Sequence, residues 1–455
     1  MRVLIVGAPP EEYYRRRLMS SDTIVRSPPL PLGYLAATLE QHGHQVRLLD
    51  LSVVSQGSQV FKRELEDFAP GLVGISSTTV SFPQSLRFAR LSKEVLPDCP
   101  VVMGGCHVTF TAEQVLAENP VVDMVVRGEG EQTLQELADR IEAHHSLEGV
   151  LGLSYQKNGN VIHNPPRPFI KDLDVLPWPA RHLMDMTLYN VPAALITSRG
   201  CPARCIFCAA GAMGGQHYRP RKPECVVDEM EHLHRQLGFT SLAILDDTFT
   251  ASPRRLSLPV CAEIQRRGLK VTFACESRVD VVTPQLLESL SAAGCVGIQF
   301  GVESGSPRVL AALRKHITLD QVRQAIRCAV ALGMRVVCSF ILGHPTETEA
   351  DALMTLDFTE ELLDMGVDRI FIGPLIPYPG TDLYEHREAH GITLYTNDWS
   401  QFSFGNPIIN TRYLSRERLR DLYVDANVRI TRHSKAVAGL QERTLQDLER
   451  SSVTA

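Results

Sequence analysis

Ser198-Arg199-Gly200-Cys201-Pro202-Ala203-Arg204-Cys205-Ile206-Phe207-Cys208 sets three cysteines within eight residues, immediately after a short apolar run at 193–198. On a loop, three thiolates so spaced can face one centre, as the sulfur ligands of a cubane iron–sulfur cluster must. Three ligands leave one iron open to chelate the amino and carboxylate groups of a small molecule, whereas a fourth nearby cysteine would suit plain electron transfer. The competing readings are three buried cysteines, or a zinc site completed by a distant Cys225 or His217. Place favours the cluster, because the C-terminal end of a barrel's first strand is where barrel active sites assemble.

Working outward, apolar runs at 193–198, 240–245, 270–275, 296–301, 335–342 and 368–373 read as strands, each but the last followed by a helical pattern. That repeat predicts a partial (β/α)6 barrel, since a closed eight-fold barrel needs more chain. Upstream, strands are expected at 2–6, 45–50, 72–77, 101–105 and 122–126, with helices at 31–42, 59–68, 83–96, 111–118 and 131–143. Such alternation predicts a Rossmann-like, doubly wound parallel sheet with helices on both faces. The turn at Lys157-Asn158-Gly159-Asn160 reads as a hairpin and the proline-rich stretch from Pro165 to Pro192 as an extended linker. The α/β chain therefore divides into a first domain over 1–150, hairpin and linker over 151–192, the barrel over 193–385, and a short helical C-terminal region over 386–455.

A chain of 455 residues is long enough for two or three cores, and 44% hydrophobic with 22% charged residues is ordinary for a globular protein. A net charge of -6 without blocks of like charge argues against a nucleic-acid partner held by bulk electrostatics. No run of eighteen apolar residues and no basic leader precede the first strand, so neither a membrane nor a secretory route is expected. Eleven cysteines, eight of them scattered singly through apolar stretches, fit a reducing, cytoplasmic compartment better than a disulfide framework.

With an aromatic residue, Phe207, before its last cysteine, the C-x-x-x-C-x-x-C segment resembles the signature of the radical S-adenosylmethionine (SAM) superfamily, over roughly residues 190–385. The resemblance implies a 4Fe-4S cluster on Cys201, Cys205 and Cys208 that donates an electron to SAM, giving methionine and a 5'-deoxyadenosyl radical. It also implies roles for residues at the other strand ends. The neighbourhood of Phe207 would lie against adenine. Asp246 and Asp247 would bind the SAM amino group, although the Gly-Gly-Glu of many members is absent. Glu276, Ser277 and Arg278 would reach the ribose or carboxylate. Glu303 and Ser304 follow the fourth strand, with Gly301 and Gly305 allowing close backbone approach. Gly343, within Ile341 to Thr348, is similar to the family segment that contacts adenine. Taken singly, the alternative reading of each is a salt bridge or a helix cap; together, all ending strands on one rim, they favour the ligand.

Pro28 to Leu35, Gly104-Gly105-Cys106-His107 and Arg127-Gly128-Glu129-Gly130-Glu131 resemble the subgroup with an N-terminal cobalamin-binding domain. Its cobalt-ligating Asp-x-His-x-x-Gly motif is missing, since Leu51 and Ser52 follow Asp50, so cobalamin occupancy stays open. His107 contacts a cofactor tail or caps a helix, and the glycines admit a ligand or only make turns. In size and build the chain resembles aminoglycoside radical SAM diol-dehydratases, which implies a lyase of antibiotic biosynthesis that abstracts hydrogen from an aminosugar diol. The alternative is a cobalamin-dependent methyltransferase acting on an unactivated carbon, and a remote one is a redox or cobalamin-sensing module. The expected partners are a small-molecule substrate and an electron donor such as a flavodoxin or ferredoxin.

Overall fold

The computed structural model describes residues 1–10, 26–191 and 193–453, with 435–453 described by backbone alone, so Pro192 at the end of the expected linker lies outside the described residues. Five parallel strands, β1 (Arg2–Gly7), β2 (Gln45–Asp50), β3 (Leu72–Ser76), β4 (Val101–Gly104) and β5 (Met124–Val126), pair in the order β2-β1-β3-β4-β5. The connecting helices are α1 (Leu30–Gln41), α2 (Gly57–Phe68), α3 (Phe82–Val95), α4 (Cys106–Glu118) and α5 (Glu131–Glu142). Alternation along β1 decides their sides: Leu4 and Val6 pack with the α2, α3 and α4 layer, and Val3 and Ile5 with α1 and α5. Both faces are buried, as a parallel sheet wound on two sides requires. Helix α4 starts five residues earlier than the pattern predicts, because the kink at Thr111 hides its first turn from a periodic reading.

The predicted hairpin forms from β6 (Leu153–Lys157) and β7 (Asn160–His163), and β6 pairs antiparallel with β5, extending the first sheet. Asn158 and Gly159 have φ of 53° and 78°, the paired positive values of a type I′ turn.

In the second sheet six parallel strands run in the order β8-β11-β12-β13-β14-β15: β8 (Ala194–Leu195), β11 (Ser241–Ile244), β12 (Thr272–Ser277), β13 (Cys295–Glu303), β14 (Arg335–Leu342) and β15 (Arg369–Pro374). This open partial barrel is flanked by α7 (Pro223–Arg235), α8 (Ser257–Arg266), α9 (Pro284–Ala292), α10 (Pro307–Ala312), α11 (Leu319–Ala331) and α12 (Glu349–Asp364). Between β8 and α7 lie β9 (Ser198–Arg199), a short helix α6 (Ala210–Gly214) and β10 (Arg219–Pro220), which pairs with β9. Capping boxes at Thr318 with Gln321 and at Thr348 with Asp351 start α11 and α12.

The C-terminal region is helical from Arg416 onward, in α13 (Arg416–Val453). Before it, β16 (Thr393–Leu394) pairs with β17 (Ile409–Asn410), and Trp399 between them packs against the cores of both sheets. That segment is rich in Asn, Gly, Pro and aromatics and lacks a helical period. Arg429 of α13 bonds Glu360 and Asp357 of α12, both at 2.7 Å. Among the described residues no helix is long and apolar enough to cross a membrane.

Candidate active site

The cysteine loop is pinned before it begins. Asp246, just past β11, accepts hydrogen bonds from the Thr197 and Ser198 amides at 2.7 and 3.2 Å and from both hydroxyls at 2.5 Å. Gly200 has φ +84°, and a Cβ there would strike the carbonyls of Gly214, Gly215 and His217, so the turn into Cys201 accepts only glycine. The Cys201 amide donates to Gly215 (3.1 Å) and the Ile206 amide to Leu313 (3.2 Å). Cys201, Cys205 and Cys208 then line one cavity of about 530 Å³. Burial pushes the Cys208 thiol up to about 11, so a bound cation is needed to hold it as thiolate near neutrality. Cys225 and His217 do not line this cavity, which removes the zinc completion considered from sequence. All eleven cysteines are free.

Phe207, Asp247, Glu276, Ser277, Arg278 and Glu303 also line the cavity, while Asp246, Ser304 and Gly343 do not. Parity along the strands explains most of the division. In β12, Phe273, Cys275 and Ser277 are buried, and Glu276 between them opens to the cavity. Past β11, Asp246 continues the buried side of Leu242 and Ile244, and Asp247 takes the open side. Ser304 is fully buried with its hydroxyl on Thr355 at 3.1 Å. Gly343 makes room for Leu419 of α13, which a Cβ would meet at 2.7 Å.

Among the described residues neither the Asp247 nor the Glu276 carboxylate has a hydrogen bond or ion pair, while their backbone carbonyls accept from Thr248 Oγ1 and the Phe249 amide. Burial raises the pKa of both, and for Glu276 the neighbouring carboxylates add to it. Two unpaired carboxylates beside three cysteines fit a cationic ligand, whose charge would reverse those shifts. Glu303 differs. It sits at φ +73°, at a register shift of β13, and accepts from Lys315 Nζ at 2.8 Å. Gly301 leaves this pair its room, since a Cβ there would lie 2.6 Å from the Glu303 carboxylate and 3.0 Å from Lys315 Nζ. Gly305 serves helix packing, its Cβ position being 2.8 Å from Phe358. Lys315 escaped the sequence reading because Arg314-Lys315-His316 looks like a solvated basic turn, yet Lys315 is 5% exposed.

A second cavity of about 590 Å³ opens between the carboxyl edges of the two sheets. The first sheet contributes Gly74, Ser76, Met103, Gly104 and Val126, and the barrel side Ile196, Arg199 and Leu245. Glycine is not demanded by packing at Gly74 or Gly104, where a Cβ would meet nothing nearer than 3.8 Å. The space those two leave belongs to the cavity and suits a flat ligand laid against backbone. Gly105 and Gly128, with φ of 102° and 74°, do make turns. His107 neither lines this cavity nor caps a helix through its side chain. Its ring packs between Phe82 (4.4 Å) and Trp399 (4.8 Å), with burial lowering its pKa to about 4. Among the described residues no histidine lines the cavity.

Cys208, Ala210 and Asp247 line both cavities, so the two form adjoining halves of one site. Glu129 ties the halves together. It accepts from Arg199 (3.2 Å), Arg219 (2.9 Å) and the Ile170 amide (2.7 Å), joining the loop after β5 to β9, β10 and the linker. Glu131 accepts from Arg199 at 2.5 Å.

Residues 24–138 match the B12 binding domain family and residues 195–359 the radical SAM superfamily. An uncharacterized methyltransferase of Pyrococcus horikoshii is 34% identical over 93% of this chain and 90% of its own. The anaerobic magnesium-protoporphyrin IX monomethyl ester cyclase of Rubrivivax gelatinosus is 30% identical over 87% of this chain and 72% of its own. The fold is that of the radical SAM methyltransferase TsrM of Kitasatospora setae, solved with cobalamin and a 4Fe-4S cluster bound. Its TM-score is 0.74 at 19% identity, over 94% of this chain and 89% of that one. The chain therefore belongs to the radical SAM enzymes with an N-terminal cobalamin-binding domain, whose cofactors are a 4Fe-4S cluster, SAM and cobalamin.

Proposed function

We propose that this enzyme is a cobalamin-dependent methyltransferase, for which SAM would be the methyl donor and a small molecule the acceptor. The observation that carries this reading is the shared wall of Cys208, Ala210 and Asp247, which sets the glycine-lined cavity of the first sheet directly against the cluster cavity. When bound, cobalamin supplies a nucleophilic, methyl-accepting metal, and the cluster with SAM supplies one-electron chemistry. This chain's residues bind, orient and enclose. Cys201, Cys205 and Cys208 hold the cluster, Asp247 and Glu276 face the SAM ammonium, and Phe207 faces its adenine. Gly74 and Gly104 give the corrin face its clearance. The relatives named above include a methyltransferase and a cyclase and lend nothing to the aminosugar dehydration expected from sequence, so methyl transfer takes its place.

The test uses anaerobically reconstituted enzyme with cobalamin, a reductant, SAM carrying a deuterated methyl group, and pools of candidate metabolites. S-adenosylhomocysteine and a product heavier by one labelled methyl, both dependent on cobalamin, are expected. A product lighter by one water, formed without S-adenosylhomocysteine and regardless of cobalamin, would overturn the proposal.

A further inference from the structure

Arg278 follows β12 on the cavity wall, where its position alone would assign it to SAM. Its guanidinium is already committed. Nε and Nη2 grip Asp280 Oδ1 and Oδ2 at 2.9 Å each, and Nη2 also donates to the Lys315 carbonyl at 2.6 Å. Those anchors fix the plane of the fork, and the remaining nitrogen, Nη1, lies 3.7 Å from Cys205 Sγ. The side chain is largely buried, at 13% exposure. Lys315, the other cation beside Cys205, spends its charge on Glu303 at 2.8 Å.

We propose that Arg278 is a positioning residue for the cluster, donating a fixed N–H···S hydrogen bond to the Cys205 thiolate and thereby setting the cluster's reduction potential. Reduction adds one electron, delivered by an external low-potential donor, to a cluster whose charge sits partly on its thiolate sulfurs. A donor aimed at such a sulfur stabilises the more negative, reduced state, and hydrogen bonds to sulfur are among the levers that tune these potentials. A guanidinium held by a carboxylate on one edge and a carbonyl beside it cannot swing away when the cluster changes charge. The inference rests on Cys205 being a cluster ligand and is independent of which reaction follows.

The experiment is an EPR-monitored redox titration, without SAM, of reconstituted wild-type enzyme and Arg278→Gln. Full iron content is expected in both, with the reduction equilibrium of Arg278→Gln shifted at least tenfold toward the oxidised cluster, which is 59 mV for one electron. Arg278→Lys, which keeps the charge and loses the fork, should shift the same way by less. An unchanged potential in Arg278→Gln at full iron content overturns the proposal, whether or not SAM binding weakens. Should the variants fail to load iron, enzyme grown with guanidino-15N-arginine and carrying Arg204→Lys and Arg314→Lys, the other arginines on this cavity, takes their place, because pulsed EPR of its reduced cluster must then still read a 15N coupling. No such coupling would overturn it. Failure of the cluster assignment itself would appear separately, as full iron content retained in Cys205→Ala.

Discussion

The two adjoining cavities are built from opposite materials. One is walled mainly by glycine backbone and aliphatic side chains at the edges of two parallel sheets, with Arg199, Glu129 and Glu131 beside them, the other by three thiols and the charged side chains Asp247, Glu276, Arg278, Glu303 and Lys315. A broad macrocycle gains most from apolar area and close backbone approach, while a small zwitterion with a sulfonium gains from placed charges. Substitutions at residues that line one cavity alone should therefore be silent in the other.

The largest effect expected from that contrast is on the cluster side. Replacing Cys201, Cys205 or Cys208 with Ala should abolish iron–sulfur absorbance and SAM cleavage, because each thiolate is one of three iron ligands, while cobalamin binding persists in Cys201→Ala and Cys205→Ala, whose side chains line the cluster cavity alone. Loss of cobalamin alongside iron in those two would show that the cavities are not independent. Conversely, Gly104→Leu, at a position where the protein itself leaves room, should lower cobalamin content at least tenfold and leave iron unchanged. Cobalamin retained at the wild-type level would place the corrin elsewhere.

Within the charged cavity, Asp247→Asn and Glu276→Gln should each weaken SAM binding by about 1–3 kcal/mol, as loss of a charge-assisted hydrogen bond does. Isothermal titration with the cluster intact measures this, and unchanged affinity in both would remove the ammonium assignment.

A further carboxylate sharpens the contrast by lying outside both cavities. Glu347 is fully buried beyond β14, and burial raises its pKa to about 8, against an ordinary value near 4.5. The folded state thus holds a proton that the unfolded state has released, so stability falls as pH rises from about 4.5 to about 8. His107, lowered to about 4, and His344, lowered to about 3, add stability that is complete above about 6.5, so from there to pH 8 Glu347 stands as the group that changes among these three. Denaturant melts of the wild type should lose roughly 1.4 kcal/mol per pH unit in that window, and Glu347→Gln should flatten the slope without altering SAM affinity.

How much of this was legible in the sequence depends on what kind of signal each residue carries. Every barrel strand was readable because apolar runs recur between helices, and the cysteine loop because its spacing is local. The pair Asp246 and Asp247 looked interchangeable, yet the alternation of Leu242 and Ile244 already assigns the first to the buried side. Ser304 falls outside the cavity because the register shift at Glu303 breaks that alternation, and no sequence pattern announces a residue at φ +73°. Lys315 depends on a partner twelve positions away, a relation that periodicity cannot express. The role of Gly74 and Gly104 is a matter of empty space, which becomes visible once both sheets are in place.

Glu129 makes the first domain a poor candidate for exchange. One carboxylate of the cobalamin-side loop is satisfied by two arginines of the barrel and an amide of the linker. A chimera that grafts another protein's first domain onto this barrel inherits Arg199 and Arg219 without their acceptor, two buried cations facing the join. Recombination between members of such a family is thereby confined to partners that carry the acid on one side and both bases on the other, and the two domains are inherited as a matched set.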